Sequence, residues 1–199
     1  SFVDAAAIPQ AGMLAVQGLI DMGKIKKGEK ILINGAGGGV GTIGVQIAKL
    51  YEAEITGVDS ESKLEMMRSI GFDHVIDYKK EDFTRSHQRY DLVLDTKSNR
   101  SLHKYARVLK KGGRYITVGG AISKLLLGLP QIAWFNLFTG KRMALVSLKT
   151  NKDLFYMNEL YCQGKMKLII DGPFKLEDFR SAFELFEKAE HKGKVVLTL

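Results

Sequence analysis

A cluster of glycines is the part of this sequence whose residue types and spacing point most directly to chemistry. Five of the seven residues at positions 35–41 are glycine, in the run Gly-Ala-Gly-Gly-Gly-Val-Gly. The run follows a short apolar segment, 30–34, that is typical of a buried strand, and precedes apolar residues at helical spacing. Backbone N–H groups at a helix N-terminus attract anions, and glycines let a pyrophosphate approach the backbone closely. The cluster therefore predicts a phosphate-binding turn.

Two registers of the dinucleotide-binding fingerprint fit this cluster. Residues 39–44 match G-x-G-x-x-G letter for letter, but they begin five residues beyond Asn34, the last residue of the predicted strand. Residues 36–41 have alanine first, yet they begin just after the strand, where the tight turn belongs. We favour the second register on geometry. A P-loop is not indicated, because no Gly-Lys-Ser or Gly-Lys-Thr follows the cluster.

A carboxylate stands where a ribose-binding acid is expected. Asp59 ends the second predicted strand, 18 residues beyond Gly41, close to the usual spacing of about 20. A carboxylate accepts hydrogen bonds from a free ribose diol and repels a 2′-phosphate, so Asp59 favours NAD(H) within an NAD(P)-type site.

Strands and helices are predicted to alternate along the whole chain. We expect strands at 30–34, 55–58, 75–76, 91–95, 114–118, 143–147, 167–170 and 194–199. Helices are expected at 40–51, 62–70, 99–109, 151–163, with Asn151 as N-cap, and 176–189. This alternation indicates an α/β fold, a doubly wound parallel sheet of the Rossmann type with helices on both faces.

Composition limits the class of protein further. The net charge is +8, but basic residues are interspersed with acidic ones and are not interleaved with aromatic residues, so no nucleic-acid partner is expected. The most apolar stretch, 122–138, is interrupted by lysine, proline and polar residues, which argues against a membrane span. A single cysteine and no visible secretory signal favour a reducing, cytoplasmic setting.

Four ordered motifs resemble one enzyme superfamily. Residues 5–12, 26–41, 74–78 and 193–197 are similar to those of the medium-chain dehydrogenase/reductase superfamily, in particular its zinc-independent quinone oxidoreductase-like branch. The resemblance covers only the second half of the family's chain and lacks its GroES-like catalytic domain. It implies a dinucleotide-binding Rossmann domain at 1–165 and a C-terminal segment, 166–199, that returns to the absent domain.

The resemblance also implies site residues for a dinucleotide. Gly38, Gly39, Val40 and Gly41, after the turn at Ala36, would lie against the pyrophosphate, Tyr78 near the adenosine, and Thr96, Val118 and Gly119 on the nicotinamide side. NADPH-dependent members of the branch tend to have a hydroxyl residue and a lysine where Ser60 and Lys63 stand, although Lys63 could equally be a solvated helix residue. Because Asp59 departs from that pattern, we keep a slight preference for NAD(H).

The function implied is the nucleotide-binding portion of an NAD(P)H-dependent oxidoreductase that reduces a quinone or an α,β-unsaturated carbonyl compound by zinc-independent hydride transfer. The alternatives are a zinc-type alcohol dehydrogenase-like enzyme and a non-catalytic dinucleotide- or RNA-binding module; a methyltransferase is disfavoured. No catalytic residue is assigned, because the resemblance implies that the substrate-facing domain is absent. No metal ligand is assigned, because the four histidines lack metal-site spacing and positions 8–11, where zinc-dependent members supply a cysteine, have none. A homodimer is expected.

Four further features depart from the family pattern or lie outside it. Lys97 and Ser98 stand where Val-Gly is usual, and Leu14 replaces a common threonine; both departures fall near the expected cofactor. The apolar insertion at 125–138 could cover a dimer interface, line the substrate cleft or pack in the core. Cys162 is expected to be a small core residue.

Overall fold

β-Strands and α-helices alternate along the chain. The computed structural model describes residues 1–119 and 122–199, with the side chains of residues 122–129 outside the description. The helices are α1 (Phe2–Ala7), α2 (Pro9–Val16), α3 (Gly39–Lys49), α4 (Glu61–Ser69), α5 (Leu102–Val108), α6 (Ile122–Phe138), α7 (Leu154–Cys162) and α8 (Phe179–Glu187). The strands are β1 (Lys30–Asn34), β2 (Glu54–Asp59), β3 (His74–Asp77), β4 (Tyr90–Asp95), β5 (Leu109–Thr117), β6 (Arg142–Leu145), β7 (Ile170–Lys175) and β8 (Lys194–Thr198).

Six of the strands form one parallel sheet in the order β3-β2-β1-β4-β5-β6. In the central strand β1, Ile33 pairs with Gly57 of β2 on one side and with Leu94 of β4 on the other. The chain order reverses between β1 and β4, and in such sheets the crevice at the carboxyl ends of the strands is where ligands bind. The expected α/β doubly wound Rossmann fold is therefore confirmed.

The central strands are apolar on both faces because helices cover both sides of the sheet. Ile31 and Ile33 pack into a core with α2 and α3, whereas Leu32 points to the opposite face, against Tyr105 and Tyr115. All five side chains are buried. This two-sided burial explains why the predicted bounds of β1 match the observed ones.

The expected strand at 167–170 is displaced, because β7 begins only at Ile170. Lys167 instead exchanges two hydrogen bonds with the side chain of Gln46 on α3, its amide donating at 2.7 Å and its carbonyl accepting at 2.9 Å. β7 and β8 then form a separate two-stranded parallel sheet. This local exchange with α3 holds the start of the segment away from the strand pairing.

The expected N-cap at Asn151 is wrong as well. Helix α7 begins at Leu154, and both Asn151 and Asp153 have left-handed backbone conformations, with φ of 60° and 72°. The buried side chain of Gln17 bonds to the amide and the carbonyl of Lys149, both at 2.9 Å. This contact with a distant residue bends the chain before the helix can start.

The C-terminal strands β7 and β8 pair with each other and not with the six-stranded sheet. The predicted helix at 176–189 is a short 3₁₀ turn, Leu176–Asp178, followed by α8. On α8, Phe179, Phe183 and Phe186 are exposed. Because these three phenylalanines are exposed, α8 presents an apolar surface beside the two-stranded sheet.

The apolar insertion forms helix α6, beside edge strand β6. Phe135 is buried, whereas Trp134, Leu137 and Phe138 are exposed; the side chains at 125–129 fall outside the described residues. Within the described part of the chain, no helix is long and apolar enough to cross a membrane.

Candidate dinucleotide site

The glycine turn links the end of β1 to α3 with almost no room for side chains. Gly35 has φ of 82°, and a Cβ there would lie 2.0 Å from Oγ1 of Thr96. A Cβ on Gly41 would lie 2.4 Å from the carbonyl oxygen of Ala36. At Gly44 the nearest atoms to a Cβ are 3.5 Å away, an ordinary contact. Close packing between helix and turn thus requires glycine at position 41, as in the register at residues 36–41.

The N-terminus of α3 leaves three backbone amides free. Gly38 is the N-cap, so the N–H groups of Gly39, Val40 and Gly41 have no acceptor within the helix, and they have none elsewhere in the described part of the chain. A Cβ on Gly38 would meet only one atom, at 3.6 Å. The amides and the open space at Gly38 make this turn a place for an anionic group.

Asp59 lies at the carboxyl end of β2 and is bonded to the glycine turn. Its Oδ2 accepts a hydrogen bond from the amide of Gly37 at 2.8 Å, and its Oδ1 accepts one from the amide of Ser60 at 2.9 Å. The side chain is buried. The acid that the sequence selects for ribose binding therefore also holds the turn in place.

Lys63 is not the solvated helix residue that the sequence left open. Its side chain is 1% exposed, and its Nζ donates to the carbonyl of Ala189 at 2.7 Å and lies 3.5 Å from Oδ1 of Asp59. Burial lowers the pKa of Lys63, against the opposing effect of the Asp59 charge. Lys63 lies beneath the turn, since a Cβ on Gly37 would be 2.5 Å from its Cδ.

A fully buried carboxylate, Asp95, organises the loop after β4. Its Oδ1 accepts hydrogen bonds from the amides of Lys97 and Ser98 at 3.0 and 3.1 Å and from Nδ2 of Asn34 at 2.9 Å. Its Oδ2 accepts one from the Tyr115 hydroxyl at 2.7 Å. Burial, and then the charge of Asp95, raises the pKa of Tyr115. Sequence reasoning did not select Asp95, although its place at the end of a central strand was a signal.

The same loop brings the expected nicotinamide-side residues together. The Thr96 hydroxyl donates to the carbonyl of Asn34 at 3.0 Å, and the amide of Val118 donates to the carbonyl of Asp95 at 2.9 Å. Ser98 has φ of 48°, the region that favours glycine, and its hydroxyl contacts the carbonyl of Gly119. That contact accommodates serine where the family usually has glycine.

A cleft of about 360 Å³ opens beside these elements. Of the residues expected to bind a dinucleotide, Asp59, Ser60 and Tyr78 line it, whereas Lys63 lies below the surface. The cleft meets the glycine turn at Gly35, and its lining does not include the other predicted residues: Ala36, Gly38, Gly39, Val40, Gly41, Thr96, Val118 and Gly119. Basic residues from three elements also line it: Lys79, Lys97 and Lys188. The cleft therefore combines a polar floor with a positively charged rim.

The C-terminal segment covers one side of the glycine turn. The amide of Gly193 donates to the carbonyl of Gly37 at 2.8 Å, and a Cβ on Gly39 would lie 2.6 Å from Cδ of Lys194. Burial lowers the pKa of Lys194. Sequence reasoning did not place these residues at the site, because their proximity depends on the return of the chain after β7.

Comparison with known proteins assigns the family. The family model described as zinc-binding dehydrogenase matches residues 70–197. The chain belongs to the zinc-binding dehydrogenase family. Its similarity to quinone and alkenal oxidoreductases confirms the resemblance to the medium-chain dehydrogenase/reductase superfamily.

This dehydrogenase-family chain has relatives that match it from end to end. It is 32% identical over 201 residues to the 2-methylene-furan-3-one reductase of Solanum lycopersicum, covering 99% of this chain and 47% of that protein. It is also 32% identical over 201 residues to the chloroplastic NADPH-dependent alkenal/one oxidoreductase of Arabidopsis thaliana, covering 98% and 47%. The quinone oxidoreductase from Coxiella burnetii matches with a TM-score of 0.85 at 26% identity, covering 100% and 61%. The chain thus spans about half the length of the two curated relatives.

The described residues of this dehydrogenase-family chain do not fit a zinc ion. Within the part that the structure describes, no three His, Cys, Asp or Glu side chains are placed together to hold a metal.

Cys162 is exposed, so its expected place in the core is wrong. Helix α7 directs Met157 and Leu160 inward, which leaves Cys162 on the solvent side.

A dinucleotide does fit these residues. The free amides at the start of α3 suit a pyrophosphate, and Asp59 stands at the end of the next strand, beside an open cleft. A side chain at Gly35 or Gly41 would collide with neighbouring atoms. At Gly38, by contrast, a Cβ would meet only one atom, at 3.6 Å, so the backbone of this dehydrogenase-family chain is open there to a pyrophosphate.

Proposed function

We propose that the chain is the nucleotide-binding portion of an NAD(P)H-dependent oxidoreductase that reduces quinones or α,β-unsaturated carbonyl compounds. The observation that carries this proposal is the row of free amides at Gly39, Val40 and Gly41, in a turn whose first residue, Gly35, lines the same cleft as Asp59. When bound, the nicotinamide would supply the hydride for the reduction.

Each predicted site residue then has a defined part in binding. The three free amides donate to the pyrophosphate, while Ser60 and Tyr78, which line the cleft, contact the adenosine side. Thr96, Val118 and Gly119 border the nicotinamide side; the Thr96 hydroxyl and the Val118 amide are already bonded within the protein, so they do not donate to the cofactor. These residues orient the cofactor, and no proton transfer is assigned to them.

The residues that face the substrate would come from another domain. We assign 1–165 to the nucleotide-binding domain and 166–199 to a segment that completes a second domain. Two observations support this division: β7 and β8 form their own sheet, and the phenylalanines of α8 are exposed. A cytoplasmic location is part of the proposal.

For the cofactor we propose a preference for NAD(H). Asp59 supports it, because its carboxylate lines the cleft where the ribose is expected and would repel a 2′-phosphate. The Arabidopsis relative is named for NADPH, so a comparison of both cofactors decides the point.

We also propose a homodimer formed through the edge of the large sheet. β6 is a terminal strand of the sheet, as β3 is at the other end, and an unpaired edge is available to pair with a second chain. The exposed Trp134, Leu137 and Phe138 of α6 lie on the neighbouring helix. A dimer mass in light scattering at micromolar concentration is expected, and a monomer mass would contradict this part of the proposal.

Titration of the 199-residue chain with NADH and NADPH tests the central proposal. We expect measurable but weak binding of both cofactors and little turnover of quinones or enones, since the substrate side is incomplete. Binding of neither cofactor would contradict the proposal. Filter binding to RNA at two salt concentrations provides the contrast: tight, steeply salt-dependent RNA binding without cofactor affinity would favour the binding-module alternative.

A further inference from the structure

Lys97 is a basic residue of the cleft that the proposed function leaves without a task. It follows β4 and lines the cleft together with Asn34 and Asp59. A Cβ on Gly35 would lie 3.1 Å from Cγ of Lys97 and 3.0 Å from its Cε. The alkyl chain of Lys97 therefore runs along the first glycine of the turn, and its ammonium group ends beside that turn.

Hydrogen bonds to a buried carboxylate fix the position of the Lys97 backbone. Its amide and that of Ser98 both donate to Oδ1 of the fully buried Asp95. Asp95 is itself held by Asn34 and Tyr115 through hydrogen bonds of 2.9 and 2.7 Å. A side chain that begins at such a point loses less conformational entropy when its head group binds a ligand.

The ammonium group of Lys97 lies near other positive charges, and Glu190, the carboxylate that lines the cleft besides Asp59, is not at ion-pair distance from it. Burial lowers the pKa of His191, and the charges of Lys63 and Lys97 lower it further. Asp59, the carboxylate at this end of the cleft, is already bonded to two amides and paired with Lys63. Within the described residues, no carboxylate oxygen is at ion-pair distance from Nζ of Lys97. An anionic ligand would relieve this uncompensated charge.

We propose that Lys97 is an additional cofactor-binding residue, whose ammonium group pairs with the pyrophosphate of the bound dinucleotide. This inference rests on the proposed function, which supplies the ligand. The place of Lys97 beside Gly35 selects the pyrophosphate, because that group lies against the glycine turn. The 2′-phosphate of NADP(H) would instead lie near Asp59 and Ser60, at the end of β2. Lys97 therefore strengthens binding of NADH and NADPH alike.

The test compares Lys97→Met with wild type by isothermal titration of the 199-residue chain against NADH, NADPH and adenosine. Methionine keeps an apolar chain of similar length but removes the charge. We expect the affinity for NADH and for NADPH to fall by the same factor, about tenfold, and the affinity for adenosine to stay unchanged. Lys97→Arg should restore most of the loss, and raised salt should weaken wild type more than Lys97→Met.

Two lysines provide matched controls. Lys111→Met removes an exposed charge far from the cleft and should leave all three affinities unchanged. Lys79→Met removes a charge that lines the cleft on the β3 side, and its effect on NADH should be much smaller than that of Lys97→Met. If Lys79→Met and Lys97→Met lost the same affinity for NADH, the overall positive potential of the cleft would account for the effect. That result would overturn the proposal.

Three other results would overturn it. A loss confined to NADPH would place Lys97 at the 2′-phosphate, and an equal loss for adenosine would show a change in pocket shape rather than a lost ion pair. Unchanged NADH affinity in Lys97→Met, with wild type binding normally, would refute the role of Lys97 and leave the proposed function standing. Failure of wild type to bind either dinucleotide would refute both.

Discussion

Oδ2 of Asp59 accepts a hydrogen bond from the backbone amide of Gly37 at 2.8 Å. This bond joins the carboxyl end of β2 to the turn after β1, so the acid and the glycine turn form one structural unit. Lys63 completes the unit from below, with its Nζ 3.5 Å from the other carboxylate oxygen. A change at any of these residues is therefore expected to affect both the shape of the turn and the charge that a cofactor meets.

Alanine substitutions at Gly41 and Gly44 should have opposite effects on stability. A Cβ at Gly41 would lie 2.4 Å from the backbone oxygen of Ala36, so Gly41→Ala should cost about 1–3 kcal/mol and abolish NADH binding. At Gly44 a Cβ makes only ordinary contacts, so Gly44→Ala should stabilise helix α3 by up to about 1 kcal/mol. Urea denaturation and cofactor titration measure both effects. A greater loss of stability and of NADH affinity in Gly44→Ala than in Gly41→Ala would instead favour the register at residues 39–44.

Asp59→Asn should change cofactor preference without removing the turn contact. An amide oxygen can still accept from the amide of Gly37, and the negative charge facing a 2′-phosphate is gone. The amide nitrogen that replaces Oδ1 cannot accept from Ser60 or pair with Lys63, so some loss of stability is also expected. We expect the ratio of NADPH to NADH affinity to rise about tenfold, measured by titration with both cofactors. Glu190→Gln, at the other carboxylate that lines the cleft, is the control and should change the ratio less. An unchanged ratio in Asp59→Asn would remove the reason for proposing NAD(H).

Tyr115→Phe should destabilise the fold because it removes a donor from a buried carboxylate. The Tyr115 hydroxyl bonds to Oδ2 of the fully buried Asp95 at 2.7 Å. Loss of one donor to a buried charge should lower the free energy of unfolding by about 1–3 kcal/mol. Tyr51→Phe, at a half-buried tyrosine outside this network, should change it by less than about 0.5 kcal/mol. Equal effects in urea denaturation would contradict a structural role for the hydrogen bond.

Lys63→Met should alter how stability depends on pH. Burial lowers the pKa of Lys63 in the folded chain below its ordinary value of 10.5. Between the two values the unfolded chain binds more protons at this site, so the site makes wild type more stable as pH rises, by at most about 1.4 kcal/mol per pH unit. The free-energy cost of burying the charged lysine is present in full below its pKa in the folded chain. It disappears as the pH approaches its pKa in the unfolded chain.

Urea denaturation at several pH values below 10.5, the ordinary pKa of lysine, measures this slope. The stability of wild type relative to Lys63→Met should increase as pH rises across this range. Lys111→Met, which removes an exposed lysine, should run parallel to wild type. If the stability of Lys63→Met followed pH in parallel with that of wild type, burial would not shift the pKa of this lysine.

Local sequence was sufficient for the framework of the protein. The predicted bounds of β1 match the observed ones, and the glycine turn leads into α3 as expected. Strand and helix periodicities, together with glycine at positions where a Cβ would collide, are properties of neighbouring residues, so they can be recognised in a single sequence. The order of the six strands also follows the regular pattern of βαβ units.

The contacts of the site depended on residues that are distant in the chain. Whether Lys63 is solvated or buried is decided by Ala189, 126 positions away, which covers it and accepts its hydrogen bond. The start of α7 is displaced by Gln17, and Asp95 gathers donors from β1, β5 and its own loop. Periodicity shows which face of an element is apolar but not what packs against it. The sequence alone determined that this chain forms a dinucleotide-type turn, and tertiary packing decided which charges surround that turn.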